Sequence, residues 1–201
     1  MDYAEMKQEV ANAIALMELL LDDMEVAYKL VDKEIEDIKK SSPILDDRLL
    51  GARLQPLMRI MTRNAFAAIE GLCYKTKNIS LQLCDQRGIP VSQREREDIL
   101  EKTINKDGKT VSHYPKTKDN IKLTLNILYR AFGFIFEITD HEEWKKLRVA
   151  IDIRNRITHP KTLNDMSISG AEYRDESEGF EWLTQNLKGV LTLLQKIESP
   201  Q

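Results

Sequence analysis

The sequence is poor in the features that mark secreted and membrane-spanning proteins. Only two cysteines, Cys73 and Cys84, occur among 201 residues. Their spacing places them about 16 Å apart along one predicted helix, which is too far for a disulfide. No apolar run reaches the ~20 residues that a bilayer span needs. The N-terminus is acidic and lacks the basic and apolar regions of a signal peptide. We therefore expect a cytoplasmic protein with no membrane partner.

The chain also lacks a strong charge excess and a metal-binding motif. A formal net charge of −3 gives no global attraction to nucleic acid or to anionic membranes, so any phosphate binding must be local. The sequence contains no HExxH motif, no CxxC pair and no carboxylate cluster with ligand spacing. We accordingly expect no metal and no cofactor.

Helical periodicity dominates what the sequence does contain. Apolar residues alternate at spacings of four and three along the N-terminal third, which predicts one helix over about 3–40. A second helix is predicted over about 52–86, after a short linker beginning at Ser41-Ser42-Pro43, so the two form a helical hairpin. The N-terminal stripe could pack against this second helix, which we favour, or form part of a homodimer. It comprises Val10, Ile14, Met17, Leu21, Met24, Tyr28, Val31, Ile35 and Ile38.

The remaining chain predicts three more main helices and one polar excursion. Helices are expected from about 118 through Phe132 and Ile135, from about 140 to Pro160, and from about 169 to 197. Residues 87–117 carry a capping box at Ser92–Glu95 and an Asp-Gly turn signal, and are interpreted as an insertion. The acidic run at 175–178 predicts a solvated helix face. The predicted fold is an all-α bundle of about five main helices, forming one domain over residues 1–201.

Chemistry-bearing residues converge at one predicted helix end, Arg154-Asn155-Arg156-Ile157-Thr158-His159-Pro160. Arg binds phosphate through a charged fork, and His exchanges protons near neutral pH. Spacings from the inward residues Trp144, Leu147 and Ile151 predict that Arg154 and Asn155 extend the buried stripe. An Arg followed by a His at this spacing occurs often by chance, whereas the Asn after the Arg makes the motif more specific. These residues suit phosphodiester chemistry.

The stretch Arg154-Asn155-x-x-x-His159, late in a small all-α chain, resembles the R-x4–6-H signature of the HEPN superfamily. The resemblance implies a homodimer in which two motifs face each other, and a metal-independent endoribonuclease acting by attack of the RNA 2′-OH. It implies that Arg154 binds the phosphate, Asn155 positions it and His159 is the acid or base. Nearby Arg156, Lys161 and Lys145 are candidate substrate-binding residues.

The same resemblance suggests a toxin or defence protein with an antitoxin or another regulatory protein as partner. Some HEPN toxins carry a tyrosine two residues after the histidine, where an antitoxin attaches AMP, and this chain has Lys161 there. Other members of the superfamily are non-catalytic. The alternative function is therefore a HEPN-like helical module that binds a protein partner or a nucleotide.

Overall fold

The computed structural model describes residues 3–41 and 47–195 and confirms the predicted all-α class, with its long N-terminal helical hairpin and five main helices. No helix within those ranges is long and apolar enough to cross a bilayer. The helices are α1 (Tyr3–Ser41), α2 (Asp47–Gln86), the short α3 (Gln93–Leu100), α4 (Thr117–Ala131), α5 (Glu142–Thr158) and α6 (Gly170–Gln195). Strands β1 (Lys102–Ile104) and β2 (Thr110–Ser112) precede α4, and 3-10 helices span Ile138–Asp140 and Leu163–Met166.

The apolar stripe of α1 is buried as its spacing predicts. Val10, Met17 and Val31 are at most 1% exposed, and the other stripe residues are buried or half-buried. On α2, Phe66 and both cysteines, Cys73 and Cys84, are buried. The predicted stop at Ser42-Pro43 lies outside the described residues.

The described residues cluster into two compact units. The first comprises residues 3–16, 69–141 and 184–195, and the second comprises residues 17–41, 47–68 and 142–183. The single domain over residues 1–201 stays a prediction, as does the interpretation of residues 87–117 as an insertion.

In the first unit, a buried lysine joins α3 to α2 and α4. Lys77 is fully buried, and its ammonium donates to Asn120 Oδ1 at 2.5 Å and to the carbonyl oxygen of Asp98 at 3.3 Å. It also lies 3.5 Å from a carboxylate oxygen of Glu101, which ends α3 in the left-handed region at φ 54°. Because burial disfavours the ammonium, the pKa of Lys77 is lowered, although Glu101 opposes the shift.

The capping box and the Asp-Gly turn of residues 87–117 are confirmed. Ser92 and Glu95 cap α3 reciprocally, and β1 pairs antiparallel with β2 through a turn in which Gly108 has φ +76°. Glu95 also receives a hydrogen bond from Arg130 of α4, which lowers the pKa of its carboxyl to about 2. This contact is a second anchor of α3 on α4.

The prediction that Ile135 lies on the apolar face of α4 is wrong. The helix ends at Ala131, because Gly133 adopts φ +80° and the N–H of Phe134 donates to the carbonyl of Tyr129 at 3.0 Å. A glycine in this conformation ends a helix at little steric cost. Ile135 consequently lies beyond α4 and is 90% exposed.

In the second unit, α5 and α6 cross at a glycine. A Cβ atom on Gly179 would lie 2.6 Å from the backbone nitrogen of Leu147 and 2.7 Å from its Cα. Beside this crossing, Lys146 of α5 forms an ion pair with Glu178 of α6. The close approach therefore requires glycine, and it fixes α5 against α6.

The acidic run on α6 is not the solvated face that its composition predicts. Glu176 is only 3% exposed, whereas Asp175 and Glu178 are partly exposed. The helical period explains the difference, since Glu176 lies four residues before the buried Phe180 and shares its face.

Candidate functional site

The C-terminal end of α5 is held in place by the core of the second unit. Ile153 and Ile157, one helical turn apart, are buried with Val31 of α1 and with Leu54 and Met58 of α2. Residues four apart on a helix lie on the same face, so these two isoleucines fix the rotation of the last turns of α5. The motif residues are thereby carried on an anchored helix end.

The buried stripe of α5 does not continue as the sequence spacing predicts. Arg154 is half-buried at its edge, but Asn155 is exposed, so its predicted inward position is wrong. The buried face of the last turns of α5 instead comprises Ala150, Ile153 and Ile157. Asn155 is therefore available to solvent and to a ligand.

The motif residues Arg154 and Asn155 are in direct contact. Arg154 Nη1 donates a hydrogen bond to Asn155 Oδ1 at 3.2 Å. The backbone N–H of His159 donates to the carbonyl of Asn155 at 3.0 Å, which closes the final turn. The side chain of His159 is exposed immediately before Pro160. Asn155 thus links Arg154, through its side chain, to the turn that carries His159.

Arg156 is engaged inside the protein. Its guanidinium donates to a carboxylate oxygen of Glu172 at 2.7 Å and to the carbonyl oxygens of Ser167 at 2.6 Å and Asp165 at 3.2 Å. The Glu172 contact raises the pKa of Arg156. These contacts hold the 163–168 segment against α5 and would compete with a substrate, so substrate binding by Arg156 stays a prediction that the geometry does not favour.

The other two candidate binding residues lie in different places. Lys161 is exposed directly after the motif, and its backbone N–H donates to Asp165 Oδ2 at 2.8 Å. That bond and a second from the N–H of Thr162 lower the pKa of Asp165. Lys145 lies in the first turns of α5, about 14 Å along the helix axis from Arg154, where it pairs with Glu142. The structure therefore keeps Lys161 at the motif end and places Lys145 away from it.

Two arginines of α2 reach the same region and were missed from the sequence. Arg63 Nη2 donates to the carbonyl oxygen of Ile157 at 2.7 Å, and Arg59 Nη1 donates to the carbonyl oxygen of Met166 at 2.9 Å. Their spacing of four places both on one face of α2, which is the sequence signal that could have identified them as a pair. Gln55, four residues earlier, exchanges hydrogen bonds with the backbone of Ile168 at 2.7 and 2.8 Å.

The helix end therefore combines positive charge with exposure. Cationic or protonatable side chains belong to this region, namely those of Arg154, Arg63, His159 and Lys161. Its acidic side chains are already engaged, Asp165 in capping and Glu172 in the contact with Arg156. Such a surface can bind an anion, and the imidazole can exchange a proton with it. Within residues 3–41 and 47–195, no group of three or more His, Cys, Asp or Glu residues is placed to hold a metal ion.

No relative of this chain was found among known proteins. No family model, curated protein or solved structure matches the chain. The resemblance to the HEPN superfamily stays a prediction that depends on the short motif at Arg154–His159 and on the helical class.

Proposed function

We propose that this protein is a HEPN-like, metal-independent endoribonuclease whose site lies at the C-terminal end of α5. The observation that carries the proposal is the Arg154–Asn155 hydrogen bond at an exposed, cationic helix end that also presents His159. An oriented guanidinium can stabilise charge on a phosphate, and an exposed imidazole can reach the ribose. A cytoplasmic homodimer with a role as a toxin or in defence, controlled by an antitoxin or another regulatory protein, belongs to the same proposal.

The proposed reaction uses the nucleophile that RNA itself supplies. A base removes the proton of the 2′-OH, and the 2′-oxygen attacks the adjacent phosphorus. The bond from phosphorus to the 5′-oxygen then breaks, leaving a 2′,3′-cyclic phosphate and a 5′-hydroxyl that takes up a proton. Arg154 balances the charge that develops on the phosphate oxygens, while Asn155 positions Arg154 or the phosphate itself.

Two proton transfers explain why the proposal includes a dimer. His159 supplies one protonatable imidazole per chain, and the reaction needs both a base and an acid. A second copy of the chain, with its own helix end facing the first, would provide the second imidazole. A homodimer would thus supply both groups, and it is also what the HEPN resemblance leads us to expect.

A second candidate function is a non-catalytic helical module that binds a protein partner or a nucleotide. It is favoured by two exposed apolar side chains that line one groove of the first unit, Phe134 at 59% and Leu193 at 48%. Exposed apolar groups that lie together mark interaction surfaces in many proteins. This function predicts binding without any change in the RNA.

The experiment is cleavage of structured and unstructured RNA by the purified full-length protein in EDTA, with the oligomeric state measured by light scattering. We expect cleavage by a dimer. His159→Ala and Arg154→Ala should each slow cleavage at least about 100-fold, since a general acid or base and a charge-stabilising donor each contribute on that scale.

Arg148→Ala is the matched control, because Arg148 is an exposed arginine on the same helix outside the motif. It should cleave at the wild-type rate. Equal cleavage by wild type and His159→Ala, or intact RNA in every preparation, would contradict the nuclease proposal and leave the binding module as the better account.

A further inference from the structure

A cleft in the second unit contains a buried carboxylate whose hydrogen bonding is incomplete. The cleft has a volume of about 130 Å³ and lies between α1, α2 and α6. Glu176 of α6 is among its lining residues and is 3% exposed, and one of its carboxylate oxygens finds no hydrogen-bond partner in the described part of the chain. Burying a polar atom without a hydrogen-bond partner lowers the stability of the fold, and a ligand that bonds to this oxygen would remove that cost.

Small alanine side chains leave the cleft unfilled, and larger apolar side chains line it. Ala27, Ala65 and Ala68 line it where α1 and α2 meet, so that no long side chain fills the space. Phe180 and Met24 supply apolar walls, and Phe180 is buried against Phe66 in an edge-to-face contact with ring centres 5.0 Å apart. The apolar part of a ligand would therefore find contacts here that water cannot make.

The polar lining residues of the cleft are divided between its exposed and its buried parts. Asp23 and Asn64 are exposed lining residues, whereas Ala65, Glu176 and Phe180 are buried. The lining residues include two carboxylates, Asp23 and Glu176, and no basic side chain. This distribution favours a cation over an anion or a neutral group.

Within the part of the chain that the structure describes, the groups that act on the Glu176 carboxylate include no cation. Thr62 of α2 lies beside the carboxylate, but its hydroxyl donates to the carbonyl oxygen of Met58 at 2.9 Å. Glu172, on the same helix as Glu176, adds like charge, and Tyr28 of α1 is directed to Ser177. Burial raises the pKa of Glu176 to about 7. A ligand cation would supply the charge that this carboxylate lacks.

We propose that this cleft binds a small primary amine with an apolar carbon skeleton, its ammonium group on the Glu176 carboxylate and its hydrocarbon part against Phe180 and Met24. The volume suits one ring or a short branched chain, since an engineered apolar cavity of ~150 Å³ holds benzene. The proposal is independent of the nuclease site, because its residues and its ligand are different.

The test uses benzylamine and its neutral analogue benzyl alcohol as probes of the full-length protein at pH 8, followed by amide chemical shifts and by calorimetry. We expect saturable benzylamine binding, with shifts concentrated in residues 20–28, 60–68 and 173–183. Benzyl alcohol should bind at least about tenfold more weakly, because it cannot pair with a carboxylate through a full charge.

Two variants distinguish the contribution of the Glu176 charge to binding from the contribution of the cavity. Glu176→Gln keeps the shape and should weaken benzylamine at least about tenfold while leaving benzyl alcohol unchanged. Ala68→Leu fills the cleft and should weaken both probes. Absence of saturable binding, equal affinity for the two probes, or unchanged benzylamine binding by Glu176→Gln would each overturn the proposal, whatever the outcome of the RNA experiments.

Discussion

Arg154 Nη1 donates a hydrogen bond to Asn155 Oδ1 at 3.2 Å, although the two residues are adjacent in sequence. Neighbours on a helix point about 100° apart, so the contact depends on the long arginine side chain bending toward the amide. The amide thereby restricts the guanidinium at the exposed end of α5. This restriction is what distinguishes the motif from an arginine and a histidine that merely occur close together.

The first prediction concerns this restriction. Asn155→Ala should lower kcat/KM for RNA cleavage roughly fivefold, since a typical hydrogen bond contributes about 1 kcal/mol. Stability should change little because Asn155 is exposed. Cleavage kinetics and thermal melting measure the two effects. An unchanged rate with a lowered melting temperature would assign Asn155 a structural role instead.

The second prediction concerns Arg156, which holds the segment after the motif. Arg156→Ala removes three hydrogen bonds, to Glu172, Ser167 and Asp165, and should lower the free energy of unfolding by about 1–2 kcal/mol. Arg174→Ala on α6, an exposed arginine, is the control and should have little effect. Denaturant unfolding provides the measurement. If Arg156→Ala is as stable as the control, the contacts do not stabilise the fold.

The third prediction is a pH dependence set by Glu176. Its folded pKa is about 7 against an ordinary value of 4.5. The raised pKa means that the unfolded state loses the proton first. The contribution of Glu176 to the free energy of unfolding is therefore complete below pH 4.5, decreases as the pH rises toward about 7, and does not change further above that.

The size of this loss follows from the shift. From pH 4.5 to 8, wild type should lose about 3 kcal/mol more than Glu176→Gln, because each unit corresponds to about 1.4 kcal/mol. Urea unfolding of both proteins across this range gives the comparison. Parallel profiles for the two proteins would show that Glu176 ionises normally in the fold.

The fourth prediction tests the crossing of α5 and α6. Gly179→Ala places a methyl group within 2.6 Å of the backbone of Leu147 and should destabilise the protein by about 1–3 kcal/mol. Gly189→Ala lies on the same helix with no atom within 4 Å of the new Cβ, and should stabilise it by up to about 1 kcal/mol. Changes of the same sign in the two variants would contradict the close approach.

Helix positions were predictable from the sequence because periodic burial leaves a periodic pattern. The α1 stripe from Val10 to Ile38 and the capping box at Ser92 are local signals, and both are confirmed. The end of α4 was not predicted, since Ile135 fits the apolar spacing while Gly133 breaks the helix before it. A stripe alone does not locate the residue at which a helix stops.

The motif was visible in the sequence, but its surroundings were not. Arg154, Asn155 and His159 are close along the chain, whereas Arg63 reaches the carbonyl of Ile157 from a helix 94 positions away. Composition also did not identify Glu176 as the buried residue of the acidic run, because only the rotation of α6 decides which of those carboxylates is buried. Long-range packing therefore decides the charge environment of both proposed sites.

The proposed nuclease is tested most sharply with an RNA oligonucleotide that has a single ribose in a deoxyribose background, incubated with the protein in EDTA. We expect one cut, after that ribose, giving a 2′,3′-cyclic phosphate and a 5′-hydroxyl. His159→Ala should abolish the cut and Arg148→Ala should not. Cleavage of the all-deoxy control, a different end group, or no cut at the ribose by the wild-type dimer would rule out this nuclease function.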